Sequence, residues 1–155
     1  MAKQPKTTRQ VLKEWTLANI RHNDLLKREV VEIEQEKDGW NFIVHSKRGD
    51  KVNGVALAAD FGEVAKRAEG KSVVIVVPNT KENLNALATS WNQLVKLGSF
   101  CVYFVNPYSL LEKYWTVCPA VHEKIADKTT LKKGLEAMFV TVEPYVESPK
   151  DVRLS

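Results

Sequence analysis

The sequence predicts a single α/β domain with a mixed central sheet flanked by helices. Three observations carry that prediction. Residues 30–58 alternate polar and apolar positions on either side of tight turns, which is the pattern of an antiparallel meander. Two runs, "SVVIVV" (72–77) and "FCVYFV" (100–105), lack polar alternation, so each belongs to a strand covered on both faces. Between them Leu84, Leu87, Trp91, Leu94 and Val95 form one apolar helical stripe, which makes the unit a right-handed parallel crossover. A chain of 155 residues is the size of one domain. A hydrophobic content of 44% with 27% charged residues excludes a disordered chain.

Residues 1–7 read as a flexible tail. From Thr8 onward Val11, Trp15, Ala18, His22 and Leu25 recur at spacings of four and three, one face of a first helix. "VVEIEQ" (30–35) and residues 40–45 flank "EKDG" (36–39) as a β-hairpin. "KRGD" (47–50) then turns the chain into a third strand over 51–58. Arg48-Gly49-Asp50 spells an adhesion tripeptide, but a turn that needs Gly49 accounts for it. "FGEVAKRAEG" (61–70) is a short helix closed by Gly70. Strand 72–77, helix 81–97 and strand 100–105 follow, the last halted by Asn106-Pro107. Helical pieces are predicted at 110–115 and 120–126, then a last helix capped by Thr130. "VTVEPYV" (140–146) reads as an edge strand, because Pro144 has no N–H for a ladder. The order is therefore α-β-β-β-α-β-α-β, then helices and an edge strand, within a domain spanning 8–146, and 147–155 form a second tail.

No apolar stretch approaches the roughly 20 residues that cross a bilayer, so no membrane partner is predicted. The basic N-terminus is not followed by an apolar signal core, which predicts a cytoplasmic protein. Cys101 and Cys118 sit in apolar contexts without C-x-x-C spacing and read as reduced core thiols. Cys118 and His122 are four apart, but a zinc site needs more ligands, and His22, His45 and Cys101 are scattered. Neither a metal nor a cofactor is predicted, and the phosphate-loop and nucleophile-elbow patterns are absent.

Two groups of candidate residues remain. Residues 1–28 hold seven basic side chains against two acidic ones in a chain of net charge +4. Arg9, Lys13, Arg21, Lys27 and Arg28 avoid the apolar stripe, so this helix is the candidate nucleic-acid surface. The second group lies where the parallel strands end. Strands joined by a crossover finish on one edge, where ligands of open α/β sheets commonly bind, and Asn79, Lys81, Asn106 and Tyr108 fall there. Asn79 also suits the N-cap of helix 81–97 with Glu82 as its third-position partner, and Asn106 before Pro107 suits a turn.

The α-β-β-β-α-β order over residues 8–105 resembles the core of the restriction-endonuclease-like fold, the PD-(D/E)xK nucleases. In that family an acid begins one central strand and an acid-x-Lys lies on the next, before the crossover helix. Two carboxylates then hold Mg²⁺ for water activation. The corresponding strand here, 73–77, is branched hydrocarbon, which cannot bind a hard cation. The resemblance thus implies a degenerate member kept for binding, similar to the nuclease-like domains of archaeal proteins that interact with the TATA-binding protein. The leading expectation is a non-catalytic binding module whose partner is nucleic acid or a nucleic-acid-binding protein. An enzyme with its polar site at the strand-end edge is the second. The third is a structural or homo-oligomeric interaction domain using strand 140–146 or the aromatic segment 108–115.

Overall fold

The computed structural model describes residues 7–58, 60–68, 70–125 and 130–146. Helix α1 (Thr8–Lys27) begins in a capping box: Thr7 accepts from the Gln10 backbone N–H, and the Gln10 side chain accepts from the Thr7 N–H. Thr7 therefore belongs to the helix, while the rest of the two expected tails, 1–6 and 147–155, lies outside the described residues.

Strands β1 (Val30–Lys37), β2 (Trp40–Ser46) and β3 (Gly49–Val55) form the antiparallel meander. Asp38 and Gly39, both at positive φ (55° and 81°), make the two-residue loop whose twist suits a hairpin. Helix α2 (Phe61–Ala68) leads to β4 (Val73–Pro78), parallel to β3. Helices α3 (Lys81–Thr89) and α4 (Trp91–Leu94) lead to β5 (Phe100–Val105), parallel to β4. Strand β6 (Tyr114–Val117) is antiparallel to β5, and α5 (Pro119–Ile125) and α6 (Leu131–Phe139) follow. The result is an open, mixed sheet in sequential order β1-β2-β3-β4-β5-β6.

Several expectations need correction. The buried face of α1 is Thr8, Leu12 and Thr16, whereas Ala18 and His22 are exposed and Leu25 is 64% exposed. The cause is where the helix lands: Leu12 packs on Val55, Val76 and Val105, and beyond Thr16 the helix stands over a cleft instead of packing on the sheet. Helix 81–97 is broken at Ser90. Thr89 Oγ1 donates back to the Asn85 carbonyl, a bond that bends helices, and the chain redirects to bury Trp91 and Leu94. Residues 110–115 are not helical. Tyr114-Trp115-Thr116-Val117 pairs with β5, and the alternate residues Trp115 and Val117 are buried. The segment 140–146 is not a strand and makes one bridge, Val142 to Glu112. Thr130 holds the N-cap position of α6 but makes no side-chain capping bond. Residue 126 of the expected helix 120–126 lies outside the described residues.

Cys101 and Cys118 are joined in a disulfide rather than held as thiols. Val102 faces Val117 across β5 and β6, so the flanking cysteines arrive side by side. Only the register of a strand that the sequence does not announce reveals this.

The two faces of the sheet are unequal. One carries the main core, with Phe61, Leu84, Leu87, Trp91, Leu94, Leu135 and Phe139 from four helices packed on Ile75, Val77, Val102 and Phe104. The other is covered by α1, whose core contact is the small cluster under Leu12.

Candidate functional site

The parallel-strand ends do bring Asn79 and Asn106 together: the Asn79 N–H donates to the Val105 carbonyl, and both side-chain amides donate to the Glu143 carbonyl. They are not an open polar site. Asn79 is fully buried; its Nδ2 also donates to the carbonyls of Phe139 and Val142, and its Oδ1 accepts from Trp115 Nε1 at 2.8 Å. Nor does Asn79 cap α3, because Thr80 accepts from the Asn83 N–H in that role. Asn106 donates to the carbonyls of Glu143 and Pro144 and accepts from the Tyr108 N–H. These amides take up the carbonyls of Phe139, Val142, Glu143 and Pro144, which are then not free to build a longer ladder. Lys81 is exposed, its ammonium 5.0 Å from the Phe139 ring, and Tyr108 is exposed beside Tyr145. The protein's own backbone fills the edge.

The basic helix is also rearranged. Arg9 donates to the Val55 carbonyl and Lys13 pairs with Glu36, so both are held against the domain instead of pointing to solvent together. That ion pair keeps the Glu36 carboxyl below its usual range. Arg21 and Arg28 are exposed, Arg28 as the left-handed C-cap of α1. Lys27 alone of the five lines a cleft.

That cleft, of about 420 Å³, lies between α1 and the thinly covered sheet face. Trp15, Thr16, Asn19, Asn23 and Lys27 come from the helix; Val44, Ser46, Lys51, Asn53, Val74, Val76 and Tyr103 come from the sheet. Lys27 and Lys51 are exposed and have no ion-pair partner among the described residues. The cleft's carboxylates are otherwise engaged: Asp24 accepts from the N–H groups of Glu29 and Val30, Glu29 pairs with Arg48, and Asp50 meets His45. Trp15, Tyr103 and Tyr114 form an aromatic trio at one end, with Tyr103 and Tyr114 stacked 5.5 Å apart. Burial, and then the neighbouring Tyr114, raise the Tyr103 phenol above its ordinary value. Lys51, Asn53 and Tyr103 belong to no charge cluster or motif of the sequence. The readable signal was Asn53 itself, an amide in "KVNGVALA" where a strand favours branched hydrocarbon.

Across the meander strands, His45 bridges two carboxylates, Nε2 to Glu34 at 2.7 Å and Nδ1 to Asp50 at 2.9 Å. The Glu34 bond, then the Asp50 bond, raise the imidazole above 6.5; the His45 bond, then Lys37, lower Glu34 below 4.5. A raised imidazole stabilises fully below 6.5 and loses that contribution as pH climbs through the folded value. The lowered carboxylate stabilises above 4.5 and loses its share as pH falls through its folded value. From about pH 6 to about pH 9, the urea midpoint should therefore fall further in the native chain than in His45→Gln. Identical pH profiles for the two proteins would show that the bridge contributes nothing.

Among the described residues no group of three metal-ligating side chains converges, and Cys118 is committed to its disulfide. No helix among them is long and apolar enough to cross a membrane. No protein-family model matches the chain, and no curated protein or solved structure matches it.

Proposed function

We propose that the chain is a non-catalytic binding domain of restriction-endonuclease-like form that serves nucleic acid through the cleft under α1. The observation that carries the reading is the pair Lys27 and Lys51: two unpaired cations, one from the helix and one from the sheet, at the same cleft. A phosphate bridging them meets charge that no carboxylate among the described residues has already neutralised. The run α1-β1-β2-β3-α2-β4 has the α-β-β-β-α-β order on which the resemblance rests, and a further parallel crossover follows it. Both strands that precede a crossover lack its acid-x-Lys pattern: β4 is apolar throughout, and β3 reads Gly49-Asp50-Lys51-Val52-Asn53.

The test is fluorescence anisotropy of labelled single- and double-stranded DNA and RNA across a salt series. The double variant Lys27→Gln/Lys51→Gln should bind more weakly, with a log–log salt slope shallower by about 0.7 per lost contact on a single strand and about 0.9 on a duplex. Binding and slope unchanged by the double substitution would remove the cleft from the reading.

A second reading, contact with another protein or a second copy, is favoured by one observation. Leu110 (91% exposed), Leu111 (59%) and Val140 (65%) flank the Glu112–Val142 bridge on the outer side of the filled edge.

A further inference from the structure

We propose that the cleft holds the planar base of a nucleoside phosphate, its hydrogen-bonding edge against the Asn53 amide and its phosphate toward Lys27 and Lys51. This rests on the binding role proposed above and names what the cleft reads. Four asparagines are buried: 53, 79, 83 and 106. The amides of Asn79, Asn83 and Asn106 donate to backbone carbonyls. Asn53, only 4% exposed, leaves its Nδ2 without a partner, although burying an unmet donor is costly.

The fold does not need an amide there. Asn53 sits on β3 between Phe42 of β2 and Val74 of β4, in a row where branched hydrocarbon would pack and pair equally well. Its surroundings are those of a slot for a flat ring. Val44, Val74 and Val76 give an apolar floor, and Trp15 and Tyr103 give aromatic faces on which a base can stack. An asparagine amide offers a donor beside an acceptor, the pair that matches a base edge of the opposite order. The volume, about 420 Å³, suits a ligand of nucleotide size. The same chemistry is presented by a free nucleotide and by an unpaired residue of a single strand.

The full chain, isotope-labelled, is titrated with adenosine, uridine, their monophosphates, ribose 5-phosphate and single-stranded oligoadenylate and oligouridylate. At least one base should shift the Asn53 side-chain amide resonances. Asn53→Val should keep or raise the melting temperature while losing about ten-fold or more in affinity for that base. Lys27→Gln/Lys51→Gln should weaken the monophosphate but leave its nucleoside unchanged. Saturation by the monophosphate at the oligomer's affinity assigns a free nucleotide, and saturation by the oligomer alone assigns a strand. Three results would overturn base recognition: no binding by any probe, ribose 5-phosphate binding as tightly as the monophosphates, or Asn53→Val binding like the native chain. If the oligomers still respond to the two lysine changes, only this inference fails. If they do not, the nucleic-acid reading itself fails.

Discussion

Asn79→Ala is expected to destabilise the domain by about 3–4 kcal/mol in urea denaturation, among the larger effects of a single substitution. The loss is not one hydrogen bond. The Asn79 amide serves the carbonyls of Phe139, Val142 and Glu143, and its oxygen receives the Trp115 indole N–H. Truncation strands the Val142 carbonyl and the Trp115 indole N–H where Asn79 is 0% exposed, and leaves the carbonyls of Phe139 and Glu143 with only the Val142 N–H and the Asn106 amide. Thr80→Ala, which removes the actual cap of α3, provides the scale and should cost about 1 kcal/mol. An Asn79→Ala loss no larger than that of Thr80→Ala would mean that the carbonyls find other partners and that the amide is not the junction described above.

The second large effect concerns the Cys101–Cys118 disulfide. The bond closes a loop with a sequence separation of 17. Constraining a loop of that size in the unfolded chain is worth about 3 kcal/mol in the chain-entropy description. Cys101→Ala/Cys118→Ala should therefore lower the melting temperature by roughly 6–12 °C for a domain of this length. Dithiothreitol should bring the native protein close to the same value and leave the double variant unmoved. Reduction that shifts neither protein would leave the bond without a role in stability.

What was legible in the sequence was local. Asp38-Gly39 fixes its hairpin through positive φ at two adjacent positions, and the unbroken hydrocarbon of 73–77 can belong only to a strand with both faces covered. The misreadings share another cause. Tyr114–Val117 and the pairing of Cys101 with Cys118 depend on β5 as a partner, and Asn79 finds its acceptors 60 and more residues away. A spacing rule sees Asn79 before Thr80 and Lys81 and assigns the nearest duty, a cap; the tertiary fold gives that duty to Thr80. The cleft was hidden for the same reason. Its apolar and polar walls come from α1 and five strands, and the face of α1 turned toward it differs from the face the periodicity suggested.

The segment from Phe139 to Tyr145 also has a consequence for biosynthesis. Its carbonyls receive the amides of Asn79 and Asn106, its Tyr145 N–H donates to the Asn79 carbonyl, and the Tyr145 hydroxyl reaches Thr8 across 137 residues. While the ribosome is still adding these residues, the crossover strands have already been made, yet their end carries two amide side chains whose carbonyl acceptors are still to come. Until the residues after α6 are present, that end lacks the carbonyls of Val142, Glu143 and Pro144 that receive the two amides. Closure of the edge thus waits on the segment after α6, and a chain truncated within α6 lacks that segment and leaves the sheet end open.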